Sequence, residues 1–511
     1  MGTQESILDP GGLGDLVGRA VEAVDALGLG ERRLAVMGGN SAGAIVAHLA
    51  ALAAGVSSVP IARYLGAAEV AYILADSGAG AILCSEDCAD VAAEAAAQTG
   101  VPLCFLHDWP SPDGAAADGT VGDRAAADGA GCAGGPAPPA DWWRGVAPEG
   151  GGRPARTLLV YTSGTTGRPK GTEMRWLRRV PPTVGEHLAA LADSSPFPPG
   201  PHLVAGPLHH TGPLSAVRHA LAGGTVVVLD RFDAEAVLAA VERHRVESSV
   251  MVPTHFSRLL ALPEDRRAGA DVSSLRRVIH TGAACPVDVK RAIIEWWGPV
   301  LFEAYGGSES GTVCAIDSEE WLARPGSVGR AVAGFEALVL DEAGRPLPPG
   351  AEGALWFRDL SGRGVRYHGV ASEAPEPGLF TLGEIGRVDA DGYVWITDRH
   401  SDMVVSGGVN LYPAEAEAVL AQHPAVADVA VIGVPDADMG EALRALVVAA
   451  PAAGAPPDAA ELDAFCRARL AAPKCPRSYE LVDGLGRNAM GKLDKRALRR
   501  PYWPTDRTIG G

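Results

Sequence analysis

The run Tyr161-Thr162-Ser163-Gly164-Thr165-Thr166-Gly167-Arg168-Pro169-Lys170-Gly171 places three glycines, four aliphatic hydroxyls and a lysine within eleven residues, directly after the apolar Leu158-Leu159-Val160. Glycines let backbone N–H groups approach anionic oxygens closely, hydroxyls add neutral donors, and Lys170 supplies a mobile cation, so the chemistry suggested is the holding of a polyphosphate. A Walker A loop would need Gly-Lys-Ser/Thr opening a helix. Here Pro169 precedes the lysine and biases Arg168 away from helical geometry, which predicts an open loop between strands. The same composition also suits an ordinary turn, and what decides between the two lies downstream. Tyr305-Gly306-Gly307-Ser308-Glu309, the run from Gly383-Glu384 to Pro413, and Gly491-Lys492 follow in order, each pairing glycine with a charged or aromatic residue.

Elements that could position these residues are legible from periodicity. From about Arg33, apolar strands such as Leu34–Met37 alternate with helical stretches such as Ala42–Ala53, the pattern of stacked βαβ units. Alternation breaks between residues 110 and 152, where Ala, Gly, Pro and Asp dominate and Trp142-Trp143 are the only large apolar residues, which reads as a mobile surface insertion. It resumes with helix 233–245, strands 249–252 and 277–280, helix 288–297 and strand 300–305. Between Gly326 and Phe357, turn signals at 341–344 and 347–350 separate short apolar runs, as antiparallel hairpins of a β subdomain require. After Arg399 a smaller unit follows, with helix 414–422, strands 426–434 and 443–449 and helix 459–470. The fold class is therefore α/β: a large N-terminal domain, residues 1–399, of stacked α/β sheets plus a β subdomain, and a small α+β domain, residues 400–511.

Bulk properties bound the function. A chain of 511 residues with 47% hydrophobic content can hold about three average domains and a substantial core. A net charge of −18 without a basic cluster argues against nucleic acid as a partner. The eight cysteines are scattered, and the closest pair, Cys84 and Cys88, lacks the second pair of a structural zinc site, so buried thiols are expected. No apolar leader or uncharged spanning helix is visible, which points to the cytoplasm.

With its four ordered motifs, the chain resembles the adenylate-forming superfamily, specifically the acyl-CoA synthetases, from about Arg33 to Arg499. The resemblance implies that a carboxylate attacks the α-phosphorus of ATP with release of pyrophosphate, and that the acyl group then passes from AMP to the thiol of CoA. Residue by residue, it implies that Thr162, Ser163, Gly164, Thr165, Thr166, Gly167 and Lys170 embrace the β- and γ-phosphates. Glu309 holds Mg²⁺, a cation that prefers hard oxygen. Ser308 stands where the family usually has a threonine on the α-phosphate. Tyr305 faces adenine, Gly306 and Gly307 leave the pocket floor open, and Gly282, Ala283 and Ala284 leave a slot for the base.

The clearest departure is Leu382-Gly383-Glu384 where the family presents Thr-Gly-Asp. The longer carboxylate can still accept both ribose hydroxyls, with weakened ATP binding as the expectation. Arg399 corresponds to the arginine before the hinge at Ser401 and Asp402. Lys492 matches the lysine that bridges acid, α-phosphate and ribose, and Gly407 and Gly408 match the segment that replaces it when the small domain reorients and CoA's pantetheine arm enters. By the same likeness the acid pocket is lined by Pro207–Gly212, Val252–His255 and His280–Gly282, with His210 either positioning the carboxylate or satisfying a neighbouring backbone group, and a structural role at least equally open to His255 and His280. The rival reading is an enzyme that adenylates an acid, or an oxyanion such as nitrite, and passes it to an amine or carrier-protein thiol; a silent binding module is a further one. A homodimer is among the assemblies these residues allow.

Overall fold

The computed structural model describes residues 3–110, 142–146, 152–162, 169–341, 343–360, 378–399, 402–406, 409–436, 439–451, 455–470, 472–487 and 493–503. A four-stranded parallel sheet, in the order Ser58–Ala62, Arg33–Gly38, Ala79–Cys84, Leu103–Phe105, forms the first layer. Its strands are near-continuous apolar runs because both faces are covered; every residue of Ala79–Cys84 is buried. The helix Ala42–Ala53 starts where the Ser41 hydroxyl accepts from the Ala44 N–H, an N-cap that satisfies one orphan donor. Helix Leu13–Ala26 was not anticipated, although Leu13, Leu16, Val17, Ala20, Val21 and Val24 recur at helical spacing and bury one stripe in the same core.

The second sheet has thirteen strands among the described residues and changes character halfway. Val226–Leu229, His202–Val204, Ser248–Met251, Arg277–His280 and Leu301–Gly307 run parallel in that order. From Leu301–Gly307 onward the neighbours Gly311–Asp317, Ser327–Ala331, Tyr393–Arg399, Glu384–Val388, Glu352–Asp359 and Phe335–Leu340 are antiparallel, as the turn signals predicted. At the far edge, the strand Glu5–Leu8 pairs antiparallel with Val226–Leu229. The helix Ala234–His244 is capped by Asp233 and ends on Arg245, a non-glycine residue in the left-handed region at φ 51°.

The smaller unit is a five-stranded sheet built on the long hairpin Val426–Asp436 and Gly440–Ala449. Helices Pro413–Leu420 and Ala459–Arg467 cover one face, burying Ala416, Leu420, Leu462 and Cys466 with Val431 and Val447. Ala430, Ile432 and Leu446 face the other side, towards Leu485, Leu498 and Tyr502. The architecture is α/β, with a large N-terminal domain and a smaller C-terminal one.

Of the low-complexity stretch, residues 111–141 and 147–151 lie outside the described residues. Trp143 is described, and it corrects the expectation of a purely surface insertion. It is 7% exposed and sits in the core beside helix Leu13–Ala26, so this stretch has an apolar anchor. The seven described cysteines are free thiols.

Candidate active site at the strand ends

Three parallel strands deliver their carboxyl ends to one edge. Met251, His280 and Glu303 stand side by side in register, so Val252–His255, Thr281–Ala284 and Tyr305–Gly307 emerge together, where open α/β sheets bind ligands. The short helix Thr211–Leu214, with His210 at its N-cap, seats on these ends. A Cβ on Gly212 would stand 3.0 Å from Val250 Cγ1 and 3.5 Å from Thr281 Cγ2. Gly282 turns the chain at φ 88°, and Ala283 and Ala284 are exposed beyond it.

The strand Leu301–Gly307 reverses into Gly311–Asp317 through Ser308, Glu309 and Ser310, with Gly307 opposite Gly311. Gly311 takes φ 70°, the left-handed residue that three-residue hairpin loops call for. A side chain on Gly306 would overlap the Gly311 carbonyl, so this glycine is needed for closure of the hairpin rather than only for an open pocket floor. The Ser310 hydroxyl accepts from the Gly307 N–H at 2.9 Å and lies 2.8 Å from the Gly311 carbonyl, making it the clasp of the turn. Glu309, half-buried at the tip, folds back so that Oε2 would lie 2.6 Å from a Cβ on Gly307.

Across the antiparallel half, Glu384 opens its strand directly opposite Arg399, the last residue of Tyr393–Arg399. Glu384 is 8% exposed, and its Oε2 accepts a 2.8 Å hydrogen bond from the Tyr305 hydroxyl. Thus the residues expected at adenine and at ribose, 79 positions apart, meet in space.

The hydroxyl- and glycine-rich loop joins two paired strands, Leu159–Thr162 and Lys170–Glu173, with Thr162 opposite Lys170. The Tyr72 hydroxyl donates to the Pro169 carbonyl at 3.3 Å, and the Tyr161 hydroxyl to Asp76 at 2.6 Å, fixing both ends of the loop to helix Ala67–Ser77. The exit of this hairpin touches the Glu309 turn, since the Arg175 carbonyl would stand 3.1 Å from a Cβ on Gly311. Arg175 also pairs with the buried Asp359 at 3.4 Å. Ser163, Gly164, Thr165, Thr166, Gly167, Ser401, Gly407, Gly408 and Lys492 lie outside the described residues, as do the side chains of Thr162 and Arg399. Their neighbours are placed: Ser406 pairs with Val409 around the two glycines. Arg487, five residues before Lys492, binds Asp428 with two contacts of 2.6 and 2.7 Å, and Lys495 binds Glu417 at 2.8 Å just after it.

A cavity of about 350 Å³ opens beside the strand ends. Pro207, His209, Thr254 and His255, from the segments expected at the acid pocket, line it together with Arg63, Arg231, Arg258 and Arg487, which the sequence did not single out. Burial, and secondarily the Arg63 charge, lowers His209 to about 4, and burial with Arg258 lowers His255 to about 3, so both rings are neutral at physiological pH. His255 stacks on Phe232 with centroids 4.0 Å apart and planes 9° off parallel. One expectation is corrected here. His209 rather than His210 lines the cavity, with His210 packed 4.2 Å behind it, centroid to centroid. His280 takes the structural alternative: it is wholly buried, with Nε2 3.5 Å from Glu303.

Asn40 was also missed. Its side chain accepts from the Leu208 N–H at 2.9 Å and donates to the carbonyls of Gly206 and Leu229, clamping the loop that carries His209 and His210. A Gly-Gly-Asn segment at the carboxyl end of a parallel strand was the available signal.

Comparison with known proteins follows the same lines. The profile of the AMP-binding enzyme family matches residues 13–363, and that of the AMP-binding enzyme C-terminal domain matches residues 415–492. A feruloyl-CoA synthase of Amycolatopsis sp. is 34% identical over 483 residues, covering 92% of this chain and 89% of the relative. Among solved structures, ATP-bound MatB from Rhodopseudomonas palustris superposes with a TM-score of 0.76 at 29% identity, covering 96% of this chain and 92% of that one. The amide bond synthetase McbA from Marinactinospora thermotolerans gives 0.76 at 27% identity, with 96% and 94% covered.

Proposed function

Because the chain belongs to the AMP-binding enzyme family of the adenylate-forming superfamily, we propose that the strand-end site described above carries out its two half-reactions. The enzyme is an AMP-forming acid–thiol ligase of the acyl-CoA synthetase type. In the first half-reaction an oxygen of the substrate carboxylate bonds to the α-phosphorus of ATP and the bond to pyrophosphate breaks. In the second, the thiol sulfur of CoA bonds to the acyl carbon and AMP leaves.

The observation that carries the site assignment is the Tyr305–Glu384 contact with Arg399 opposite Glu384. It supports a nucleoside site in which Tyr305 and the segment Gly282–Ala284 flank the base and Glu384 takes ribose hydroxyls. Ser308 reaches the α-phosphate, and Thr162, Ser163, Gly164, Thr165, Thr166, Gly167 and Lys170 surround the outer phosphates. Glu309 suits magnesium: it is a hard carboxylate oxygen donor, half-buried at a fixed turn next to the phosphate hairpin. When bound there, the ion neutralises phosphate charge. Lys492 quenches charge on the acid and α-phosphate during adenylation. The cavity beside His209 takes the acid and the thiol arm, with the imidazoles of His209 and His255 neutral and Arg63, Arg231 and Arg258 supplying positive charge towards the carboxylate.

Lys492 and Gly407–Gly408 serve different steps from one small domain, residues 400–511, which therefore reorients about Ser401–Asp402. Among the described residues no helix is long and apolar enough to cross a membrane; the cytoplasm, which holds ATP and CoA, is the compartment we propose, and a homodimer is the assembly to look for by sedimentation.

The test is ATP–pyrophosphate exchange across aliphatic, aromatic and amino acids plus nitrite, followed by mass spectrometry of products with CoA, amines and carrier thiols. Exchange with one acid class and an acyl-CoA product are expected. ATP binding without exchange for any acid overturns the reading. The fold shared with McbA keeps an amine acceptor as the second reading, which an amide product would establish.

A further inference from the structure

The base slot just proposed has its two walls on separate pieces of chain. One wall is the loop Thr281–Pro286 between the strand Arg277–His280 and the helix Val287–Trp297. The other is Tyr305, near the end of Leu301–Gly307. Beneath both lies a buried ion pair that the reaction does not use. Lys290, on the helix, is 1% exposed, and its ammonium sits 2.6 Å from Glu303 Oε2. The same oxygen is 3.5 Å from Nε2 of His280, the residue paired with Glu303 across the sheet. Lys290 is held from the other side by Trp321, whose ring centroid is 4.7 Å from the ammonium.

A buried ion pair is a costly way to fill space, because the desolvation of two charges offsets most of their attraction. Burial pushes the Glu303 carboxyl up and the Lys290 ammonium down, while their contact opposes both changes. Apolar residues of similar volume often replace such a pair without loss of stability, so the value of this pair lies in the geometry it fixes. Its placement says which geometry: Glu303 lies two residues before Tyr305, His280 immediately precedes the loop, and Lys290 lies one helical turn after it. The Glu303 carboxylate thereby ties the helix that ends the loop to the strand bearing the opposite wall.

We propose that Lys290 and Glu303 are positioning residues that set the width of the base slot and hence the enzyme's affinity for ATP. The inference rests on the assignment of the base to Tyr305 and the segment Gly282–Ala284. Near-optimal spacing of stacking walls is lost by small displacements, and supporting contacts behind a ligand commonly change affinity on the order of tenfold or more.

The experiment compares three full-length variants by ATP titration calorimetry, thermal unfolding and steady-state kinetics. Lys290→Met leaves a buried carboxylate unpaired and is expected to lower Tm. Lys290→Met combined with Glu303→Leu removes both charges at similar volume. It should keep its Tm within a few degrees, yet raise the Kd for ATP on the order of tenfold, with the acid KM within about twofold. Tyr305→Ala reports on the slot itself. An unchanged ATP Kd in the folded double variant beside a weakened Tyr305→Ala overturns the clamp alone. An unchanged ATP Kd in Tyr305→Ala overturns the assignment of the base slot, and the clamp with it.

Discussion

Replacing Glu384 by alanine removes a carboxylate that is 8% exposed and that accepts from Tyr305 at 2.8 Å. At that burial, solvent screens little of the interaction, and a hydrogen bond to an ionised acceptor contributes about 1.5–3 kcal/mol net. In the nucleotide-free enzyme, Glu384→Ala should therefore cost about 2 kcal/mol of stability. Tyr305→Phe, which deletes only the phenol donor, should cost about as much, and the double variant clearly less than the sum, giving a coupling of about 1–2 kcal/mol. ATP binding separates the two residues. Glu384 is assigned the ribose hydroxyls, so its loss should raise the Kd for ATP about 10- to 100-fold, the equivalent of one or two charge-assisted hydrogen bonds. Tyr305→Phe keeps the ring and should stay within about threefold of the parent, since a phenyl face still packs against a base. Urea unfolding and titration calorimetry on the four proteins supply both numbers. An ATP affinity unchanged in Glu384→Ala removes Glu384 from the nucleotide site, and zero coupling refutes the contact.

Lys492→Ala should slow ATP–pyrophosphate exchange about 100- to 1000-fold while leaving thioester formation from added acyl-adenylate much less affected, as single-turnover assays of each half-reaction can check. Gly306→Ala forces a Cβ into the Gly311 carbonyl and should cost about 3 kcal/mol or more, read as a lowered Tm; an unchanged Tm refutes the close approach. Burial holds His48, His187, His209 and His219 at about 4 and His255 at about 3, below the 6.5 of an exposed ring. The unfolded chain therefore takes up protons first. Stability is complete above pH 6.5 and falls as pH drops towards 4, by about 3 kcal/mol for each such ring. Urea midpoints that stay level from pH 7 to 4.5 contradict this. Finally, Ser401→Pro should impair one half-reaction more than the other, whereas equal losses argue against a pivot there.

Local signals carried much of this architecture. The strand Arg277–His280 and the helix Ala42–Ala53 match their predicted limits because apolar runs end sharply against polar or small residues. The helix predicted over 459–470 stops at Arg467, its last turn relaxing around the Ala468 C-cap, a boundary that periodicity cannot fix. What stayed hidden is non-local. Nothing near Glu384 announces that Tyr305 will meet it, nor does the composition around Trp143 reveal its seat in the core. The sequence places Lys290 and Glu303 thirteen residues apart, which is no helical or strand period, and only the fold brings them to 2.6 Å. Asn40 likewise gains its meaning from the loop it clamps, and Arg231 and Arg258 from the cavity they line.

The strand Glu5–Leu8 has an import beyond its four residues. Its partner, Val226-Val227-Val228-Leu229, is short, uncharged and β-branched, the composition that templates intermolecular pairing when left bare. By lying along it, Glu5–Leu8 acts as a sheath, and Glu5 adds a carboxylate, held by His244, where a stranger strand would dock. Clipping of those first residues would thus reveal itself less as lost turnover than as a protein that sticks to its own copies.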